Sequence, residues 1–269
     1  MARPSTEDED VAARIGRALV TGASAGIGAA MARELAARDV EVVLVARRSE
    51  RLSELSEQVP TNAEVLVADL ADRAGRDLVA ERLASADRPV DLLVNNAGLG
   101  IYGALASQDP DRIRALIDVN VTALVELTRA ALPGLLAREV GGIINVGSTA
   151  GYLPGPYSAV YGATKAFVRS FTEAVSEEVR ATPVHVLLLA PGVTRTEFQD
   201  VAGVPEGAFP PALTGTADQV ARAALDAFAA RRPVCVPAAA DRVVVYGSQV
   251  VPSRLTRRLR ASVMRRFVA

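Results

Sequence analysis

The sequence RALVTGASAGIG, residues 17–28, joins a short apolar run directly to a turn that is rich in glycine. The run RALVT has the length and apolar content of a buried β-strand, and apolar residues at helical spacing follow the turn. Without side chains in the turn, backbone N–H groups and the helix N-terminus can approach a pyrophosphate. The glycines concerned are Gly22, Gly26 and Gly28. Their spacing differs from the common G-x-G-x-x-G fingerprint, so a tight turn without a ligand stays open as an alternative.

Apolar runs alternate with helical patterns along the rest of the chain. The runs lie at residues 17–21, 41–46, 64–68, 91–95, 141–148, 184–190 and 234–236. Short buried strands separated by helices are typical of a parallel sheet with helices on both faces. The sequence therefore predicts an α/β protein with a doubly wound parallel sheet of about seven strands, formed by one domain over residues 16–240.

The composition of the 269-residue chain disfavours several classes of protein. Its formal net charge of -1 gives no attraction to nucleic acid. The single cysteine, Cys235, has no partner for an internal disulfide, and the N-terminus lacks the apolar stretch of a secretory signal. We therefore expect a cytoplasmic protein. No cluster of Cys and His residues predicts a metal site.

The two ends of the chain differ from its body in charge. Residues 1–15 are predicted to form an acidic N-terminal tail, and residues 241–269 a basic amphipathic extension. Residues 250–267 place apolar side chains four apart and carry six arginines. Such a helix either contacts an anionic membrane surface peripherally or packs on its own domain or a neighbouring subunit.

The second apolar run ends in VARR, residues 45–48, about 20 residues beyond the glycine turn, where dinucleotide sites often hold the ribose with an acid. This chain has Ala46 there, followed by Arg47 and Arg48. A guanidinium grips a 2′-phosphate with paired hydrogen bonds, and no carboxylate repels it. The pattern favours NADP over NAD, and two solvated arginines at a helix start are the alternative.

The sequence YGATK, residues 161–165, contains the only lysine of the chain. Tyr161 and Lys165 are four apart, so a helix presents them on one face. A nearby ammonium stabilises a phenolate and lowers the pKa of the tyrosine, which general acid–base chemistry near neutral pH requires. Ser148 ends a strand at the same edge of the sheet, and Asn120 lies in an otherwise apolar helix. Taken singly, each has an ordinary structural explanation, and neither Tyr152 nor Tyr157 has a lysine one turn away.

The order and spacing of these motifs resemble those of the short-chain dehydrogenase/reductase family over residues 16–236. The matching features are TGASAGIG, Asp69, NNAG at 95–98, Asn120, Ser148, YGATK and PGVTRT at 191–196. The resemblance implies a Rossmann-type fold, a bound nicotinamide dinucleotide, and a homodimer or homotetramer. It also implies a catalytic tetrad of Asn120, Ser148, Tyr161 and Lys165.

Within that resemblance, Tyr161 exchanges the proton, Ser148 orients the substrate oxygen, and Lys165 holds the nicotinamide ribose. Asn120 secures a water linked to Lys165. The residues expected to bind NADP(H) are Gly22, Ser24, Ala25, Gly26, Ile27, Gly28, Arg47, Arg48, Asp69, Leu70, Asn95, Ala97, Gly98, Tyr161, Lys165, Pro191, Gly192, Val193 and Thr194.

The segment 196–213 is rich in Gly, Pro and Phe, which is typical of a mobile lid, although a plain surface loop is the alternative. Side chains expected to form an apolar pocket are Phe198, Val201, Val204, Phe209, Leu99, Tyr102 and Leu153. We therefore expect an NADP(H)-dependent oxidoreductase that acts on a hydrophobic carbonyl or secondary alcohol. A cofactor-binding sensor or scaffold without turnover is the second hypothesis, but it has no use for a poised tyrosine.

Overall fold

A computed structural model describes residues 15–204, 214–250 and 261. Seven strands form a parallel sheet in the order β3-β2-β1-β4-β5-β6-β9. Their bounds are β1 Arg17–Thr21, β2 Glu41–Ala46, β3 Ala63–Val67, β4 Leu92–Asn95, β5 Gly142–Val146, β6 His185–Leu189 and β9 Val234–Cys235. Two short strands, β7 Thr194–Arg195 and β8 Gly215–Thr216, pair separately. The doubly wound parallel sheet predicted from the sequence is confirmed.

Most helices within the described residues lie between consecutive strands, and the last one follows β9. The helices are α1 Gly26–Ala36, α2 Ser49–Gln58, α3 Arg73–Ala84, α4 Pro110–Ile117, α5 Leu124–Arg138, α6 Ala159–Glu178, α7 Phe198–Ala202, α8 Ala217–Ala229 and α9 Ala239–Val250. A π-helical segment, Asp118–Ala123, joins α4 to α5. Among the residues that the structure describes, no helix combines the length and hydropathy that crossing a membrane requires.

Apolar side chains cover both faces of the sheet. Along β1, Ala18 and Val20 belong to the core on one face, where α1, α2 and α8 pack. Leu19 points to the other face and belongs to the core formed with α3, α5 and α6. Strands buried on both faces are continuous apolar runs, which is why the sequence located them well.

The turn between β1 and α1 permits close packing that only glycine allows. A Cβ at Gly28 would lie 2.3 Å from the backbone oxygen of Gly22, which cannot move aside as a flexible side chain would. Gly28 therefore brings α1 close to β1. It is buried and outside the cavity wall described below, and its contact with the dinucleotide stays a prediction.

We expect Gly28→Ala to lower the free energy of unfolding by roughly 1–3 kcal/mol, because the added methyl group overpacks the turn. Gly247→Ala is the matched control in α9, since nothing lies within 4 Å of its added Cβ. The free energy of unfolding of Gly247→Ala should be unchanged or rise by up to about 1 kcal/mol. Urea unfolding of both variants measures the difference, and equal stabilities would contradict the packing argument.

The boundary predicted at residue 240 falls inside a helix and stays a prediction. The helix α9, Ala239–Val250, crosses it, and Val245 is buried with Ala190 and Val236 of the domain. The expected acidic tail, apart from residue 15, lies outside the described residues. The same holds for the basic helix at 250–267, apart from residues 250 and 261, so its membrane or subunit contact stays a prediction.

Candidate active site

A cavity of about 480 Å³ opens at the carboxyl ends of the central strands. Its wall includes the glycine turn after β1, the ends of β2 and β5, the NNAG segment, one face of α6 and the segment after β6. The carboxyl edge of a doubly wound sheet is where such folds bind ligands. The glycine turn, VARR, YGATK and PGVTRT motifs therefore converge on one place.

The glycine turn presents backbone to this cavity. Gly22 and Gly26 have φ angles of 67° and 56°, a conformation that side chains disfavour. The N-cap of α1, Ala25, makes no side-chain cap hydrogen bond, and the first turn of α1 contains no acid. The N–H groups at the start of α1 are thus available to an anion. This cradle fits the pyrophosphate of a dinucleotide.

The neighbouring NNAG segment is fixed to the glycine turn through Asn96. Its Nδ2 donates to the carbonyl oxygens of Thr21 and Gly22, at 2.9 and 3.3 Å. Thr21 Oγ1 in turn accepts from the backbone N–H groups of Asn96 and Ala97, at 2.9 and 3.0 Å. The sequence did not single out either side chain, although both belong to quoted motifs.

The expected position of Asn95 is corrected by the structure. Its side chain is buried below the cavity, where Nδ2 donates to Thr128 Oγ1 and to Asn145 Oδ1 at 3.1 and 3.0 Å. Asn145 Nδ2 donates onward to Thr172 Oγ1 of α6 at 3.1 Å. A satisfied buried network of this kind holds β4, β5, α5 and α6 in a fixed relation. Asn95 therefore supports the site from beneath and does not line it.

Arg48 lies at the end of β2 beside the glycine turn. Its Nε and Nη2 donate to Ser24 Oγ at 3.1 and 3.0 Å, and its Nη1 lies 2.8 Å from Glu197 Oε2. Arg47 is more exposed, with Nη1 3.5 Å from Asp69 Oδ2. Both arginines line the cavity, as do Asp69 and Leu70. The cationic groups that the sequence predicts for a phosphate thus lie where the cavity reaches the outer strands.

Tyr161 and Ser148 meet at the centre of the cavity. The Tyr161 side chain is partly buried, and its phenol interacts with the Ser148 hydroxyl. Ser148 Oγ also accepts from the backbone N–H of Ala150 at 3.1 Å, which fixes its position at the end of β5. The two hydroxyls form a polar pair that one carbonyl oxygen can contact.

Lys165 lies one helical turn from Tyr161 on α6. Its buried ammonium is 5.9 Å from the centroid of the Tyr161 ring and donates to the backbone oxygen of Val146 at 2.8 Å. Asn120 approaches from the π-helical segment, with Oδ1 accepting from Leu99 N at 2.8 Å. A Cβ at Gly98 would lie 3.4 Å from Asn120 Oδ1 and 3.6 Å from Lys165 Nζ, so this glycine makes room between them.

The backbone irregularity at Asn120 explains an amide in an apolar helix. Its Nδ2 donates to Leu99 O at 2.9 Å and to Thr164 Oγ1 at 3.0 Å, so the buried amide has partners on both sides. A π-helical turn redirects side chains and often occurs at functional sites. Asn120 joins the NNAG segment to α6 without being part of the cavity wall.

Burial perturbs both titratable groups of the site. It raises the pKa of Tyr161 above 10.0, and the Ser148 hydrogen bond opposes the rise. It lowers the pKa of Lys165 from 10.5 to about 8. The sequence predicts a lowered pKa for Tyr161, whereas burial in the structure raises this pKa. Desolvation of the phenol therefore outweighs the Ser148 hydrogen bond.

The buried lysine should destabilise the protein without cofactor. Below pH 8 Lys165 is protonated in both states, so the full cost of burying its charge applies. As pH rises from about 8 to 10.5, the unfolded state binds more protons than the folded state, and stability increases. We expect Lys165→Met to raise the free energy of unfolding at pH 7 by roughly 1–3 kcal/mol, with the unpaired Val146 carbonyl offsetting part of the gain.

Denaturant unfolding of the cofactor-free wild type and Lys165→Met at pH 7 and pH 10 tests this expectation. The advantage of the variant should shrink at the higher pH. A methionine variant that is less stable at pH 7, or an advantage that is independent of pH, would contradict the burial of a charged amine.

Comparison with known proteins decides the family. The short chain dehydrogenase family matches residues 16–204 of the sequence. This chain belongs to the short-chain dehydrogenase/reductase family. Its relatives include the NADP-dependent 3-hydroxy acid dehydrogenase YdfG of Escherichia coli, which is 40% identical over 185 residues, covering 68% of this chain and 75% of YdfG.

Solved structures of family members superpose over most of this short-chain dehydrogenase. The Sphingobium yanoikuyae enzyme in complex with NADPH gives a TM-score of 0.79 at 34% identity, covering 87% of this chain and 94% of that chain. A Burkholderia phymatum member in complex with NAD gives a TM-score of 0.75 at 26% identity, covering 86% and 91%. The fold and the reaction class, oxidoreduction, are thus those of the family.

Most of the predicted site residues of this short-chain dehydrogenase line one cavity. They are Gly22, Ser24, Ala25, Gly26, Ile27, Arg47, Arg48, Asp69, Leu70, Ala97, Gly98, Ser148, Tyr161, Lys165, Pro191, Gly192, Val193 and Thr194. Gly28, Asn95 and Asn120 lie behind the wall. Within residues 15–204 and 214–250, no group of His, Cys, Asp and Glu side chains is arranged to hold a metal ion.

The described part of the predicted lid, residues 196–204, closes over the cavity of this short-chain dehydrogenase. The Phe198 ring is 5.5 Å from that of Tyr161, centroid to centroid, and a Cβ at Gly100 would lie 2.7 Å from Phe198 Cζ. Val201, Val204, Leu99 and Tyr102 also line the cavity. Leu153 is not part of its wall, and Phe209 lies outside the described residues.

Sequence reasoning missed two acids, Glu197 in the cavity wall and Asp241, which contacts the wall residue Gly192. Glu197 contacts Arg48, and Asp241 of α9 accepts a hydrogen bond from the backbone of Gly192. Partial burial raises the pKa of Asp241, and the Gly192 contact opposes this rise. Both acids act through contacts between distant parts of the chain, so no local sequence pattern predicts these contacts.

Proposed function

We propose that the protein is an NADP(H)-dependent oxidoreductase that interconverts a hydrophobic carbonyl compound and its secondary alcohol, with Tyr161 as the general acid and base. The observation that carries the proposal is the pairing of the Tyr161 and Ser148 hydroxyls in the wall of the cavity that the glycine turn opens. Two neighbouring hydroxyls at that place can both contact one substrate oxygen.

The residues that would hold the cofactor follow the length of the cavity. The N–H groups at Gly26 and the start of α1 suit the pyrophosphate, and Arg48 with Ser24 suits a 2′-phosphate. Lys165 suits the hydroxyls of the nicotinamide ribose. When bound, the reduced nicotinamide supplies a hydride for the carbonyl carbon of the substrate.

The chain itself supplies the proton and the polar environment. Ser148 donates to the substrate oxygen and stabilises the negative charge that develops on it. Tyr161 gives its phenolic proton to the same oxygen, and the Lys165 ammonium stabilises the phenolate that remains. The raised pKa of Tyr161 keeps the phenol protonated at neutral pH, which suits a proton donor in the direction of reduction.

The walls near Tyr161 favour an apolar substrate. Phe198, Val201, Val204 and Leu99 line the same cavity as Tyr161 and Ser148, and the Phe198 ring lies 5.5 Å from the Tyr161 ring. We expect the apolar group of a bulky ketone or aldehyde to contact Tyr161 in place of Phe198. Substrate size should therefore depend on how far Phe198 moves.

A sensor or scaffold without turnover is the competing function. Both hypotheses expect dinucleotide binding, but only an enzyme transfers hydride from the bound cofactor. Fluorescence titration with NADPH and NADH, followed by a panel of apolar ketones and aldehydes with the tighter cofactor, separates them. Tight NADPH binding with no turnover in either direction on any of the panel would favour the sensor.

A further inference from the structure

Glu197 joins two arginines at the edge of the cavity. Its Oε2 accepts from Arg48 Nη1 at 2.8 Å, and its Oε1 accepts from Arg51 Nη1 at 2.5 Å. The two guanidinium groups lower the pKa of Glu197, so the carboxylate is ionised at neutral pH. Arg48 is the residue proposed to hold the 2′-phosphate, whereas Arg51 lies outside the cavity wall. The carboxylate therefore occupies a hydrogen-bonding position on Arg48 that a phosphate would need.

The same residue lies at the start of the segment that covers the catalytic pair. Glu197 is the N-cap of α7, and its backbone oxygen accepts from Val201 N at 3.1 Å. The adjacent Phe198 packs on the Tyr161 ring, and Ala202 O accepts from Tyr102 N at 2.9 Å. The ion pairs thus attach the described lid segment, residues 196–204, to α2 at the opposite side of the cavity.

We infer that Glu197 determines cofactor selectivity by competing with the 2′-phosphate for Arg48, and that its displacement loosens the lid segment above Tyr161. The inference rests on the proposed NADP(H) function. A phosphate monoester carries more charge than a carboxylate and presents three acceptor oxygens, so it displaces Glu197 from the guanidinium. Arg51 retains the displaced carboxylate close by. A dinucleotide without that phosphate leaves the Glu197 contact in place.

The expected size of the effect follows from the exposure of these groups. The side chains of Arg48 and Glu197 are 44% and 47% exposed, so solvent screens their attraction. Exposed pairs contribute little, and removing such a competitor should tighten phosphate binding roughly two- to fivefold. The effect on a nucleotide without the phosphate should be less than about twofold.

Glu197→Gln tests the inference, because the amide keeps the size of the side chain and removes its charge. Calorimetric titration with adenosine 2′,5′-bisphosphate and with adenosine 5′-monophosphate separates the phosphate effect from general nucleotide binding. Glu177→Gln is the matched control, since Glu177 is exposed, accepts from Arg180 Nε at 2.8 Å and lies outside the cavity wall. Only Glu197→Gln should tighten the bisphosphate.

Hydrogen exchange of the amides of Val201 and Tyr102 is a second, independent measurement of the Glu197–Arg48 contact. The bisphosphate should accelerate their exchange in the wild type and the monophosphate should not, whereas in Glu197→Gln exchange should already be fast. If the wild type binds the bisphosphate tightly but Glu197→Gln changes neither affinity nor exchange, the competition is wrong and the NADP(H) proposal stands. If the wild type prefers the monophosphate, the NADP(H) proposal itself fails, and this inference fails with it.

Discussion

Tyr161→Phe should lower the rate of carbonyl reduction by roughly 10²–10⁴-fold, the contribution that a positioned general acid makes. The phenylalanine keeps the ring that packs against Phe198 and removes only the hydroxyl that pairs with Ser148. Binding of NADPH should change less than about threefold, because the phosphate contacts at the other end of the cavity are intact. Single-turnover kinetics with a saturating apolar ketone and a fluorescence titration measure the two quantities.

Tyr152→Phe is the control for this experiment. Tyr152 also lies close to a cation, with Arg169 4.6 Å from its ring centroid, but it is not part of the cavity wall. Its hydroxyl should be dispensable for reduction. A Tyr161→Phe enzyme that reduces carbonyls at the parental rate, or an equal loss in both variants, would remove Tyr161 from its assigned role.

Arg48→Ala should weaken NADPH binding by roughly 10–100-fold and change NADH binding by less than about threefold. The expected loss is that of one charge-assisted phosphate contact, partly offset because Glu197 is no longer held at the same place. Competition titrations with both dinucleotides give the ratio of affinities. The ratio should also fall with added salt in the wild type, because exposed charges are screened.

Arg73→Ala serves as the control for the loss of a cation. Arg73 is 86% exposed, pairs with Asp77 and lies outside the cavity wall. If the affinities of Arg48→Ala for both dinucleotides are unchanged, or fall by the same factor, Arg48 does not bind the 2′-phosphate. Preference for NADP would then have to reside in Arg47, which pairs with Asp69 at 3.5 Å.

The central strands were predictable because they are short apolar runs buried on both faces of the sheet. β6, for example, was expected at 184–190 and extends over His185–Leu189. β5 ends earlier than expected, at Val146, because the chain turns at Gly147 and a 3-10 helix, Thr149–Tyr152, follows Ser148. The apolar helix predicted around Asn120 is interrupted in the structure by the π-helical segment Asp118–Ala123.

The less predictable features depend on contacts between distant residues. Asn95 and Asn96 are adjacent in NNAG, yet strand alternation sends Asn95 into the interior and leaves Asn96 at the turn. Glu197 and Arg48 are 149 residues apart in the sequence, so no local sequence pattern predicts their ion pair. The direction of the Tyr161 pKa depends on how deeply the ring is buried, which spacing along a helix does not reveal.

A crystal structure of the complex with NADP⁺ tests the central claim most directly. The account predicts the 2′-phosphate on Arg48, the pyrophosphate at the Gly22–Gly26 turn, and the nicotinamide beside the hydroxyls of Tyr161 and Ser148. Electron density that places the dinucleotide elsewhere, or a Tyr161 hydroxyl that faces away from the nicotinamide and from Lys165, would contradict it.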